Sequence, residues 1–122
     1  MKKLLLTALV VTLAGCSANK QTMALVQAND WAKIGSADVA NGLIKKSEAR
    51  LAKMNEKFAG SGADYQAYSN AYDEGLLAYC QLENAYIIGF AQQNYNGLCD
   101  AFPIGQRFRD IWYNAKYAGK DR

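Results

Sequence analysis

Hydrophobic and polar positions alternate with helical spacing in three stretches of the chain, and each stretch predicts an α-helix. In the first, Ala37–Ala59, apolar side chains recur every three or four positions along one face. The second stretch is Tyr65–Gln81, and the third is Ile104–Tyr117. We therefore predict a mainly α fold, a small domain of about three helices.

Residues at the ends of these stretches indicate where the helices begin and stop. Ser36 suits the N-cap of the first helix and Asp64 that of the second, because each side chain can accept a hydrogen bond from a free backbone N–H. Gly60 is placed as a C-terminal cap of the first helix, and Pro103 suits the first turn of the third. Gly42 lies inside the first predicted helix, which close approach by another helix would explain.

The segment between the second and third predicted helices is harder to assign. Residues 85–91 are apolar and fit either a brief helix or a turn followed by a strand. Asn94–Gly97 is a turn signal, because an Asn-Gly pair readily adopts positive φ. Cys99 follows this turn, a natural position for closing a disulfide back onto the end of the second helix.

The start of the chain has the pattern of a bacterial lipoprotein signal. Lys2 and Lys3 precede an apolar run, Leu4–Leu13. This run is too short to span a bilayer, because a transmembrane helix needs about 20 apolar residues. The run ends in Leu-Ala-Gly-Cys, the order of a lipobox. We expect cleavage between Gly15 and Cys16 and attachment of a diacylglyceryl group to Cys16. The alternative is an ordinary secretory signal with an incidental cysteine.

This interpretation divides the chain into three parts. Residues 1–15 are the expected signal peptide, residues 16–28 a lipidated cysteine with a flexible tether, and residues 29–122 the helical lipoprotein domain. Several acyl chains would hold the protein stably, since one chain anchors only marginally. An aspartate directly after the lipidated cysteine would resemble an inner-membrane retention signal, but this chain has Ser17 there. We therefore expect the protein to be anchored in the outer membrane, with its domain facing the periplasm.

The charges give little reason to expect nucleic acid as a partner. The formal net charge of +3 includes Lys2 and Lys3, so the mature chain is nearly neutral. Basic residues concentrate in Lys45–Lys57 and in the C-terminal tail, whereas residues 58–106 contain none. The basic segments either meet anionic lipid headgroups or pair with acidic residues of the chain's own helices.

Two cysteines remain once Cys16 is assigned to lipid. A pair in an oxidising compartment predicts a disulfide between Cys80 and Cys99, worth about 3 kcal/mol on the chain-entropy model. A redox-active or metal-binding pair is the alternative, although the chain has no Cys-x-x-Cys motif and no histidine. We expect no catalytic residues, no metal and no cofactor other than the covalent lipid.

Four tyrosines of the second predicted helix share one face. These are Tyr65, Tyr68, Tyr72 and Tyr79. Such a stripe forms either a ligand or partner surface, or part of the core with hydroxyls reaching its edge.

Three blocks of residues, in this order, resemble the small proteobacterial lipoprotein family catalogued as domain of unknown function 2799. They are Trp31–Gly35 with Asp38 and Gly42; Tyr68, Tyr72, Gly75, Leu76, Tyr79 and Cys80; and Asn84, Tyr86, Gly89 and Tyr95–Cys99. Val39 and Ala71 stand where that family usually has glycine, and the first helix lacks the histidine or extra cysteine of many members. The resemblance implies a lipoprotein location and a fold, but no activity.

These observations favour a non-enzymatic envelope lipoprotein that acts as a binding or structural accessory. Its expected partners are the membrane, through the lipid, and another envelope protein or a wall component. Neither nucleic acid nor a small-molecule substrate is expected. The alternatives are a thiol-disulfide redox protein using Cys80 and Cys99, and an inhibitor or immunity-type protein projecting residues 85–99 as a loop.

Overall fold

The computed structural model describes residues 14–118, with side chains from residue 19 onward. Within that range the chain forms helices and no strands, so the predicted mainly α class is confirmed. Residues 14–118 form six helices rather than about three. They are α1 (Ala14–Gln27), α2 (Trp31–Ala40), α3 (Glu48–Lys57), α4 (Tyr65–Tyr79), α5 (Leu82–Phe90) and α6 (Gly105–Tyr117).

The first predicted helix, Ala37–Ala59, is wrong as a single element. Asp30 is the N-cap of α2 and accepts a hydrogen bond from the Lys33 N–H, so Ser36 lies inside the helix. Gly42 ends α2 because it takes a φ of 70°, a left-handed conformation that glycine adopts without a steric penalty. The Leu43 N–H then donates to the Asp38 carbonyl over 2.9 Å, the long bond of a Schellman motif.

Three other helices end in the same way, but with residues other than glycine. Asn29, Ala59 and Gln92 have φ values of 56°, 54° and 62° after α1, α3 and α5. The predicted cap of α3, Gly60, is therefore displaced by one position, because Ala59 takes the left-handed conformation. The Gly60 N–H instead donates the long bond of the motif, to the Asn55 carbonyl over 2.8 Å.

The second and third predicted helices correspond to α4 and α6. Asp64 is the N-cap of α4, as predicted, and accepts a hydrogen bond from the Ala67 N–H over 3.0 Å. The N-cap of α6 is Ile104, so Pro103 precedes the helix instead of lying in its first turn. For residues 85–91 the helical alternative is correct, since most of them belong to α5.

The helices pack as two close pairs, α2 with α4 and α5 with α6. A Cβ on Gly35 would overlap the Tyr68 carbonyl oxygen, and one on Gly89 would lie 2.9 Å from the Ala115 Cβ. Each glycine thus permits its pair to approach closely. The Tyr79 ring stacks on Phe108 at 5.9 Å and joins α4 to α6 through the core.

The predicted flexible tether is helical in the structure. Val26, near the end of α1, is fully buried, and Leu25 packs against the core. The Gln27 side chain donates to the Phe58 carbonyl at the end of α3. These apolar and polar contacts dock the helix on the domain. Within residues 14–118, no helix combines the length and apolar character needed to cross a membrane.

Candidate functional site

The disulfide predicted between Cys80 and Cys99 is present, with 5.6 Å between the two Cα atoms. Cys80 caps the end of α4, and Cys99 lies in the connection to α6. Both are buried, with exposed fractions of 7% and 0%. A buried bond is poorly placed for exchange with an external thiol, so its position favours a structural role.

A second set of contacts fixes the connection that carries Cys99. The Tyr95 hydroxyl accepts a hydrogen bond from the Cys99 N–H over 2.9 Å and donates one to Asp100 over 2.8 Å. Asp100 also pairs with Arg109 of α6. Burial and the hydrogen bond to Asp100 raise the pKa of Tyr95 to about 12. The segment predicted as a projecting loop is therefore α5 followed by a connection that is fixed against the domain.

The tyrosine stripe is mostly core and not a free surface. Tyr68, Tyr72 and Tyr79 are 0%, 3% and 7% exposed, and Tyr65 is half-buried. The partner-surface interpretation is wrong for Tyr68 and Tyr72, because α2 and the connection after it cover that part of α4. The Tyr79 ring is core as well, since it stacks on Phe108. The interpretation as core with hydroxyls reaching its edge is correct for these three tyrosines.

The hydroxyls of Tyr68 and Tyr72 form hydrogen bonds with α2 and the segment that follows it. Tyr68 donates to Asp38 over 2.7 Å and accepts from the Lys46 N–H over 3.0 Å. Tyr72 donates to the Leu43 carbonyl over 2.6 Å. Burial raises the pKa of both phenols, that of Tyr72 to about 12.

Asp38 is the buried anion at the centre of this network. The residue is 8% exposed, and its carboxylate lies 2.6 Å from the Lys46 ammonium. The neighbouring Lys45 pairs with Asp73 on α4 over 2.9 Å. For these two lysines, the interpretation as partners of the chain's own acidic residues is therefore correct.

Tyr79 differs from the other buried tyrosines in its hydroxyl group. Among the described residues nothing hydrogen-bonds to that hydroxyl, although the side chain is more than nine-tenths buried. Burial raises its pKa. The hydroxyl lies 3.0 Å from where a Cβ of Gly42 would be. It therefore faces the space that Gly42 leaves free.

Tyr79 also lines a polar cleft of about 340 Å³ between the end of α2 and the segment after α5. We call it the amide cleft because five of its lining residues carry side-chain carboxamides. The lining residues are Ala40, Asn41, Tyr79, Gln92, Gln93, Asn94 and Asn96. None of them carries a formal charge at neutral pH, and most of the lining surface is polar.

Hydrogen bonds to α6 and to the α2 turn hold the walls of the amide cleft. The Asn96 amide donates to the Gly42 carbonyl over 2.8 Å and so joins the two sides. The Trp112 indole N–H donates to the Gln93 carbonyl over 2.9 Å, and Lys116 donates to the Asn94 side-chain carbonyl over 2.7 Å. The cleft is therefore formed before any ligand arrives.

A second concave region lies beneath α1. Two cavities of about 350 and 240 Å³ share Thr22, Asp38 and Leu43 among their lining residues. Lys53 and Lys57 line the larger cavity, so part of the basic segment predicted from the sequence faces this groove. Asp38 supplies a carboxylate to this groove, but that carboxylate is already paired with Lys46. The groove therefore belongs to the Asp38 network.

The predicted lipidation site lies at the beginning of α1. Gly15 and Cys16 are its second and third residues, and the Cys16 side chain is outside the described side chains. Residues 1–13 of the predicted signal are also outside the described residues.

Sequence reasoning missed the amide cleft. Its clearest signal is the four carboxamides within residues 92–96, of which the sequence prediction uses only Asn94 and Asn96, as part of a turn. Tyr79 shares the predicted helical face with the other tyrosines, and nothing in the helical spacing distinguishes its hydroxyl from theirs.

A family model described as "Protein of unknown function (DUF2799)" matches residues 30–117. That range includes every residue that lines the amide cleft, as well as both cysteines of the disulfide. No curated protein matches the chain, and no solved structure does.

Proposed function

The chain belongs to the DUF2799 family of proteins of unknown function, and we propose that it is a lipid-anchored, non-enzymatic protein of the outer membrane. In this proposal the lipid on Cys16 holds the protein at the membrane, on the periplasmic side. The folded domain binds another envelope protein or a wall component. The observation that carries the binding role is the unpartnered Tyr79 hydroxyl in a preformed cleft.

The anchor rests on the Leu-Ala-Gly-Cys sequence that ends the apolar run. Replacing Cys16 by serine removes the thiol that would take the lipid, so Cys16→Ser should lose palmitate labelling and leave the membrane fraction. Ser17→Asp should keep the label but shift to the inner membrane. Palmitate labelling followed by density separation of the two membranes measures both effects. An unlabelled wild-type protein, or a labelled Cys16→Ser variant, would contradict the assignment.

The binding role rests on the amide cleft as a recessed, polar and preformed site. Ala40 lines the cleft at the end of α2, and Ala32 is exposed on the same helix away from the lining residues. We expect Ala40→Phe to fill the cleft and Ala32→Phe, the matched control, to leave it open.

Co-sedimentation with isolated cell walls and with outer-membrane vesicles tests this role. The wild type and Ala32→Phe should be retained by one of these fractions beyond the level that the lipid alone gives. Ala40→Phe should fall back to that level while its thermal transition stays unchanged. Equal retention of all three proteins would refute a binding role for the cleft.

A further inference from the structure

We propose that the ligand of the amide cleft is a neutral carbohydrate, with the Tyr79 hydroxyl as the contact at the floor of the site. The inference rests on the proposed binding role of the cleft and adds the chemical class of the ligand. Three features of the lining carry it: the described lining residues include no charged one, they supply donors and acceptors, and little of their surface is apolar.

Charge is the first argument. The lining residues are one alanine, one tyrosine, three asparagines and two glutamines. An ionic ligand placed among them would lose hydration without gaining a counter-ion, which is costly. Lys116, a cation in contact with the lining, already donates a hydrogen bond to the Asn94 side-chain carbonyl over 2.7 Å. A neutral ligand fits this environment best.

Hydrogen-bonding capacity is the second argument. A carboxamide presents donors and acceptors side by side, which matches the paired donor and acceptor character of sugar hydroxyls. The Asn41 and Gln93 side chains make no hydrogen bond to any described residue. Asn96 uses its amide nitrogen and Asn94 its carbonyl oxygen, so each retains the complementary group. The Tyr79 hydroxyl can both donate and accept.

Shape and polarity are the third argument. Pockets for drug-like ligands are lined mainly by hydrophobic residues, as are recesses for apolar peptide side chains. Among the described residues the only aliphatic one that lines the cleft is Ala40, and about 340 Å³ lies at the small end of ligand sites. A sugar unit offers a hydroxyl at nearly every carbon, whereas a peptide would need an apolar recess for its side chains. The cleft therefore favours a carbohydrate over a peptide.

Calorimetric titration of the purified lipidated protein, in a detergent without a sugar headgroup, tests the proposal. The probes are neutral N-acetylglucosamine oligomers, neutral glucose oligomers, an anionic oligogalacturonate and a neutral tripeptide. We expect at least one neutral oligosaccharide to bind, with an affinity that does not change between low and high salt, because no ion pair is formed. The anionic oligosaccharide and the tripeptide should not bind.

Tyr79→Phe removes the floor hydroxyl and leaves the ring that packs on Phe108. Loss of one hydrogen bond should weaken oligosaccharide binding about five-fold. Tyr86→Phe is the matched control, because Tyr86 lies on the exposed face of α5 and does not line the cleft. Both variants should fold with the urea midpoint of the wild type, since neither hydroxyl has a partner among the described residues.

The outcomes separate this inference from the proposed function. Retention on cell walls that depends on Ala40, without binding of any neutral oligosaccharide, would overturn the carbohydrate assignment and leave the binding role in place. Binding of only the anionic probe or the tripeptide would also overturn it. Oligosaccharide binding that Tyr79→Phe and Ala40→Phe leave unchanged would place the sugar elsewhere and refute the proposal.

Discussion

The structure predicts in most detail the effect of removing the Asp38 carboxylate. This carboxylate accepts hydrogen bonds from the Tyr68 hydroxyl at 2.7 Å and the Lys46 ammonium at 2.6 Å. The two charged side chains are only 12% and 15% exposed, so water compensates little for the loss of either. Asp38→Asn keeps the shape of the side chain but leaves the Lys46 cation without its counter-ion.

The size of the effect follows from this burial. Breaking a buried ion pair by removing one partner typically costs 3–5 kcal/mol. Because the Lys46 side chain reaches partly into solvent, we expect a loss of about 3 kcal/mol in the free energy of unfolding, at the lower end of that range. Removing both charges in Asp38→Asn/Lys46→Met should restore about half of the loss.

The chain offers a matched control one residue away. Lys45 and Asp73 also form an ion pair, but their side chains are 29% and 60% exposed. Asp73→Asn should therefore cost only about 0.5 kcal/mol. Urea unfolding followed by far-UV circular dichroism measures all three variants against the wild type. If Asp38→Asn costs no more than Asp73→Asn, the buried network does not hold the connection between α2 and α3 as argued.

Two further perturbations have a defined direction. Cys80→Ala/Cys99→Ala should lower the free energy of unfolding by about 3 kcal/mol, since the bond closes a loop with a sequence separation of 19. A loss below about 1 kcal/mol in urea unfolding would contradict this and show that the Tyr95 hydrogen bonds hold the connection to α6 without the disulfide. Stability should also fall between pH 10 and 12, because tyrosines of the unfolded chain lose protons near pH 10 whereas Tyr72 and Tyr95, with pKa raised to about 12, keep theirs when folded. This contribution is fully present below pH 10 and is lost as the pH rises through 12, so urea midpoints that stay constant over that range would contradict it.

Local signals in the sequence were sufficient for the elements that depend on local interactions. α4 and α6 have long apolar stripes, and Asp64 forms its capping bond with a residue three positions away. The disulfide needed only the count of cysteines that remained after Cys16 was assigned. Each of these predictions uses neighbours in sequence or a single pairing, so the rest of the fold has little influence on it.

The division of the first predicted helix shows where a local signal is ambiguous. Gly42 was interpreted as a helical residue at a close contact, although its φ of 70° makes it the end of α2. Both interpretations place a glycine next to another helix. They can be distinguished only when the residue that packs against the glycine is known. That residue is Tyr79, whose hydroxyl lies where a Cβ of Gly42 would be in contact, 37 positions along the chain.

The amide cleft could not be predicted from the chain because its parts come from three distant segments. Asn41 follows α2, Tyr79 ends α4, and the glutamines and asparagines follow α5. Tyr79 differs from Tyr68 and Tyr72 in hydrogen bonding. The connection after α2 forms hydrogen bonds with the hydroxyls of Tyr68 and Tyr72 but not with that of Tyr79. A helical stripe indicates which residues face the core, but it does not indicate which tyrosine hydroxyl lacks a hydrogen-bond partner among the described residues. The unpaired hydroxyl is the feature that makes this cleft a candidate binding site, and it emerges only when the three segments meet.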